Sequence, residues 1–126
     1  MAKRANYTGE EALAARARRE GYAARSVYKL IELDRRFRLF RSGQRVLDLG
    51  AAPGSWSQLA LRRIGSRGLL VSVDLKPITA RLEGAIVLQE DAFAIDVAGL
   101  AELSEERVPP FDLVLSDMAP GTTGVP

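Results

Sequence analysis

The string Asp48-Leu49-Gly50-Ala51-Ala52-Pro53-Gly54-Ser55-Trp56-Ser57-Gln58 concentrates the residue types that bring backbone close to a ligand. Gly50 and Gly54 permit that approach, and amides opening a helix after such a turn can hydrogen-bond a polar or anionic group. Asp48 offers a carboxylate to a cationic amine. The segment from Gly50 through Pro53 to Gly54 is not G-x-G-x-x-G and lacks the second glycine of a pyrophosphate turn, which disfavours a nicotinamide dinucleotide. Asp74 stands 26 residues after Asp48, a spacing suited to accepting hydrogen bonds from ribose hydroxyls in a nucleoside-binding α/β fold. Asp91 has the chemistry to accept from an adenine amino group, although taken alone it reads as a turn residue or helix cap. With no histidine and no cysteine in the chain, acid–base or displacement chemistry must run on Lys, Asp, Glu, Ser or Tyr.

The elements that must position these residues follow from periodicity. Residues 1–9 show no apolar period and read as an arm that orders on a partner. Ala- and Arg-rich composition predicts a helix from Glu10 to Arg19, with Gly21 as its stop. A second helix is predicted with Ser26 as its cap, a stripe of Val27, Leu30, Ile31, Leu33 and Phe37, and an end at Ser42-Gly43. Lys29 sits on that helix and, from its type and neighbours, reads as a solvent-facing lysine on a basic face. Strands are predicted at Arg45–Leu49, Leu69–Asp74, Ala85–Gln89 and Phe111–Ser116, with helices at Trp56–Ile64 and Ile95–Glu106 between them. Strands alternating with helices imply a parallel, doubly wound α/β sheet. Asp117 then follows directly on the fourth strand, at the carboxy end that faces the ligand crevice in such folds. The turn-forming run from Met118 to Pro126 would lead to another element, so the sheet is expected to be cut after its fourth strand, leaving an unpaired edge.

Composition sets outer bounds. The chain of 126 residues is 47% hydrophobic and 27% charged, the make-up of one globular domain. It contains no apolar run long enough to span a membrane and no apolar stretch behind a basic N-terminus, so the expected location is cytoplasmic. Charge is uneven: residues 1–45 carry 12 Lys/Arg against 5 Asp/Glu, and the remainder 6 against 11, or +7 and −5. A basic segment joined to an acidic body suits a phosphate-binding arm, and a solvated helical face is the alternative.

Three stretches together, Arg25-Ser26-Val27-Tyr28-Lys29-Leu30, Asp48–Gln58 and Ser116-Asp117-Met118-Ala119-Pro120, resemble the FtsJ/RrmJ-type ribosomal RNA ribose 2′-O-methyltransferases. The likeness runs from about Gly21 to the end of the chain and is densest at the glycine turn. It implies a Rossmann-like class I methyltransferase fold with helices on both faces of the sheet. It implies a basic helical arm (1–44) that contacts RNA and an S-adenosylmethionine-binding half-domain (45–126). Asp48, Gly50, Pro53, Gly54, Trp56, Asp74, Asp91 and Asp117 would surround the cofactor, Asp74 near its ribose, Asp91 near its adenine and Trp56 through its backbone. The resemblance also makes Lys29 and Asp117 two members of a Lys-Asp-Lys-Glu catalytic group. The other two are expected beyond Pro126, so little turnover is expected from these residues alone. In that scheme the second lysine is the base, Lys29 lowers its pKa by proximity, and Asp117 orients both. No metal is implied. The substrate implied is large-subunit ribosomal RNA, possibly within the assembled subunit. Transfer RNA, a non-catalytic RNA-binding module and a nucleotide-dependent oxidoreductase are the rival readings.

Overall fold

Along β1 (Arg45–Leu49) alternate side chains enter two different cores, because successive residues of a strand point to opposite faces. Val46 joins Val27, Leu30, Trp56, Leu59, Ala60, Ile64, Leu70 and Leu115 on one face. Leu47 joins Val71, Val73 and Phe111 on the other. The computed structural model describes residues 9–96, 98–104 and 110–117.

The elements are α1 (Gly9–Arg19), α2 (Val27–Phe37), β1, α3 (Ser55–Ile64), β2 (Leu69–Val73), β3 (Ile86–Leu88), a 3₁₀ segment (Ala98–Ser104) and β4 (Leu113–Ser116). The strands form one sheet in the order β3-β2-β1-β4, and every pairing is parallel. Asp48 lies level with Ser72 on one side and Leu115 on the other. The chain moves outward from β1 to β2 to β3 and then returns to the opposite side of β1. That reversal places a topological switch point at the carboxy ends of β1 and β4, where open α/β sheets form their ligand crevice. Helices α2 and α3 cover the first core. The second is covered by the loop after β3 and the 3₁₀ segment, through Ala92, Ile95, Leu100 and Leu103. Among the described residues no helix is long and apolar enough to cross a membrane.

Three sequence expectations need correction. First, α2 ends at Phe37 and not at Ser42-Gly43. Arg38 turns left-handed at φ 51° and donates its amide to the Asp34 carbonyl. The Asp34 carboxylate then accepts from the Phe40 amide, and the Gln44 side chain ties Leu39 and Arg41 into a loop. Side chains thus take up the backbone groups that another helical turn would have used. Phe37 accordingly leaves the apolar stripe and is 62% exposed. Second, Ser26 precedes α2 but makes no side-chain cap bond. Its hydroxyl pairs instead with that of Ser55. Third, the helix expected at Ile95–Glu106 is a 3₁₀ segment over Ala98–Ser104, started by the Asp96 carboxylate accepting from the Ala98 amide. Leu100 and Leu103, three residues apart, suffice to bring this tighter spiral onto the sheet. Residues 105–109 of that expected helix, the N-terminal arm before Gly9 and the run after Asp117 lie outside the described residues.

The contrast between Leu30 and Phe37 is directly measurable. Leu30→Ala opens a cavity in the first core and should cost about 2–5 kcal/mol in urea unfolding, whereas Phe37→Ala should change stability by less than about 0.5 kcal/mol. Comparable losses would mean that α2 packs in a different rotation.

Candidate functional site

The turn that leaves β1 is gripped from beneath and from the side. The amides of Gly50 and Ala51 both donate to the Val73 carbonyl at the end of β2. Gly50 takes φ 73° and Gly54 φ 119°, backbone that side chains other than glycine's adopt only with strain. At Gly54 there is also no room. A Cβ there would stand 2.6 Å from the Ala80 Cβ and 3.0 Å from Ile78, and the Ala80 amide donates to the Pro53 carbonyl. The sequence reading attached Gly54 to the ligand directly. The structure gives it a packing task against residues 78–80.

Beneath the turn lies Asp48, 1% exposed. The Ser57 hydroxyl donates to its carboxylate at 2.7 Å and meets the Ser72 hydroxyl, also at 2.7 Å. A hydroxyl has one proton, so Ser72 donates to Ser57 in this relay. Burial pushes the Asp48 carboxyl up to about 7; the Ser57 hydrogen bond opposes this, and the charges of Asp117 and Asp74 add to it. Asp48 lines a recess of about 30 Å³ with Ser26, Ser55, Trp56 and Asp117, enough to admit a water-sized group.

Beyond the recess opens a cleft of about 340 Å³, sharing Gly50, Ala52 and Asp117 with it. Asp74 and Asp91 stand in this cleft with Leu75, Lys76 and Phe93. Backbone amides fix the orientation of both carboxylates: Ala52 and Lys76 donate to Asp74, and Phe93 donates to Asp91. A carboxylate has about four acceptor sites, so each retains capacity for a ligand's hydroxyls or amine. Leu75 and Phe93, 60% and 81% exposed, are apolar surface held in water at the cleft. Sequence reasoning missed both, although each lies within two residues of a singled-out aspartate.

At the mouth, Lys29 Nζ stands 3.4 Å from Asp117 across 88 residues of sequence. The pair is exposed, 66% and 30% by side chain, and such pairs contribute little stability. Their juxtaposition therefore has no evident structural purpose, and the fold places an ammonium and a carboxylate at one rim of a nucleoside-sized cleft. Lys29 Nζ also lies 6.0 Å from the Trp56 ring. Helix α1 is held on α2 by Arg16 over the Tyr28 ring at 4.5 Å and by an Arg25–Glu10 ion pair. The Tyr28 hydroxyl donates to Glu20 and holds that carboxyl below its usual range.

Comparison with known proteins agrees with this geometry. The family model described as FtsJ-like methyltransferase matches residues 22–126. The chain is 49% identical over 112 residues to a ribosomal RNA large subunit methyltransferase E of Bdellovibrio bacteriovorus, covering 87% of this chain and 56% of that protein. It is 54% identical over 119 residues to its namesake from Sorangium cellulosum, covering 94% and 54%. The crystal structure of a Plasmodium falciparum protein described as a ribosomal RNA methyltransferase superposes with TM-score 0.66 at 26% identity, covering 82% of this chain and 60% of that one. The chain spans about half the length of the curated relatives it matches.

The buried carboxylate supplies a test of the site's electrostatics. The Asp48 pKa is higher folded than unfolded, so the folded chain holds the proton more tightly. This group's contribution to stability is then greatest below about pH 4, declines as pH rises toward about 7, and is flat above, a change of at most about 4 kcal/mol. Asp48→Asn keeps an acceptor for Ser57 and removes the ionisation. The wild-type urea midpoint should fall relative to the variant's between pH 5 and pH 8. Parallel profiles for the two proteins would show that Asp48 is already ionised in the fold.

Proposed function

Since the chain belongs to the FtsJ-like methyltransferase family, we propose that it carries the donor half of an enzyme that methylates a ribose 2′-hydroxyl of RNA from S-adenosylmethionine, with large-subunit ribosomal RNA as substrate. The observation that carries the reading is the meeting of Lys29 and Asp117 at the rim of the Asp74–Asp91 cleft. The relatives' names support the choice of RNA.

The residues fit the donor by their chemistry. Asp74 and Asp91 accept hydrogen bonds, as ribose hydroxyls and an adenine amine require. Leu75 and Phe93 offer faces for a purine. Asp48, Asp117 and the recess between them supply negative charge for an ammonium or sulfonium. When bound, the donor supplies a methyl group on a positively charged sulfur. Transfer to a hydroxyl is then a displacement in which alignment and proton removal carry the rate.

Within that reaction the chain's own residues align. Asp117 faces Lys29 across the rim, and the Lys29 ammonium stands where it stabilises negative charge developing on an approaching oxygen. A neighbouring lysine, if brought to this rim, would meet the Lys29 charge and have its own pKa lowered toward the neutral form that a base needs. Exposed arginines on α1 and α2, Arg18, Arg19, Arg35 and Arg36 among them, extend the basic surface from Lys29 for phosphate contacts. Such contacts position RNA without selecting its sequence. A cytoplasmic location is part of the same proposal.

Calorimetric titration tests the donor half separately from turnover. S-adenosylmethionine should bind saturably, Asp74→Ala should weaken it by about tenfold or more, and Lys29→Ala should leave it within about threefold. A folded chain that ignores the donor, or an Asp74→Ala variant that binds as the wild type does, would overturn the assignment.

A further inference from the structure

Trp56 and Gln58 belong to the glycine-turn motif, yet their side chains reach away from the Asp74–Asp91 cleft. The Trp56 indole N–H donates to the Ser26 carbonyl at 2.9 Å. That same carbonyl accepts the backbone amide of Lys29 at 3.1 Å. The Ser55 hydroxyl lies 3.0 Å from the Ser26 hydroxyl. Later in the same first turn of α3, the Gln58 amide donates to the Gly21 carbonyl at 3.0 Å and accepts from the Ala23 amide at 2.8 Å. The six residues of chain just before α2, Gly21 to Ser26, are therefore fastened at both ends to the first turn of α3.

We infer that the first turn of α3 is a positioning element for Lys29, with Trp56 and Gln58 setting through their side chains where the amino end of α2 stands relative to the donor cleft. The inference deepens the function proposed above and rests on it for the meaning of Lys29's placement. The contact between Lys29 and Asp117 is too exposed to fix the lysine by itself. By contrast, Ser55 and Trp56 are 2% and 6% exposed, and Val27, which follows Ser26, is fully buried. The bonds of Ser55 and Trp56 are sheltered in this way, resist water's competition and hold geometry, and the more exposed bonds of Gln58 add a second point of attachment. The start of α3 is itself fixed by Gly54 against Ile78 and Ala80. One rigid piece thus carries the donor turn on its leading edge and the lysine's anchor on its flank. A buried indole N–H needs an acceptor, and here the acceptor is the same carbonyl that receives the Lys29 amide, so the packing of Trp56 and the placing of Lys29 share one atom.

Trp56→Phe keeps a ring and removes the N–H, whereas Gln58→Leu removes both ends of the second clamp and leaves the Trp56 ring beside Lys29. NMR on the 126-residue chain, which has only Lys3 and Lys76 besides Lys29, reads out both. In each variant amide exchange at residues 27–31 should quicken tenfold or more while β1 and β2 stay protected. In Gln58→Leu the Lys29 side-chain resonances should also lose their ring-current displacement and move toward those of Lys76. S-adenosylmethionine affinity should stay within about threefold in Gln58→Leu, whose side chain lines neither the donor cleft nor the recess. Unchanged exchange at 27–31 together with unchanged Lys29 resonances would overturn the inference and leave Trp56 a packing residue. If Trp56→Phe unfolds, Gln58→Leu decides. Failure of the wild type to bind donor would remove the functional reading, and the donor-free comparison would still decide whether the clamp exists.

Discussion

Everything at this site depends on how tightly the turn between β1 and α3 is packed. Gly54 has no space for even one methyl group, because Ala80 and Ile78 occupy it, and the amides of Gly50 and Ala51 are spent on the Val73 carbonyl. Held on two sides, the turn presents its remaining surface to the cleft. The sheet order makes the same place the switch point, so local packing and topology open the crevice at one spot.

Polar groups around the turn divide into those that look outward and those that build. Asp74 and Asp91 are oriented by backbone amides and keep acceptor capacity facing the cleft. Asp48 is buried, among the described residues without a cationic side chain at hydrogen-bonding distance, and is supported by the Ser57–Ser72 relay. A carboxylate in that position is costly unless it is protonated or meets positive charge. The recess that connects it to Asp117 gives a cationic ligand a reason to settle there. Ligand recognition and the burial of Asp48 are in this respect two aspects of one electrostatic arrangement.

Much of this was legible in the sequence, and what was not has physical causes. β1 appears with the predicted bounds because a short apolar run before glycines has few alternatives. The parallel α/β class follows from alternation, and Lys29 and Asp117 do meet, as the resemblance implied and as spacing alone could not show. The helix ends were missed where side chains override propensity: Asp34 and Gln44 take up the backbone after Phe37, and Asp96 starts a 3₁₀ segment where composition favoured an α-helix. The resemblance places Trp56 at the cofactor through its backbone and says nothing of its indole, which bonds Ser26 across 30 residues. Leu75 and Phe93 went unnoticed because an exposed apolar side chain is ordinary until the fold shows that it lines a cleft.

The most direct test of the account is an NMR measurement of contacts between the labelled chain and S-adenosylmethionine carrying a ¹³C methyl group. The account predicts adenine-proton contacts to Leu75 and Phe93 and methyl contacts toward the rim formed by Lys29 and Asp117. Adenine contacts on another face, or a methyl group remote from Lys29, would contradict it.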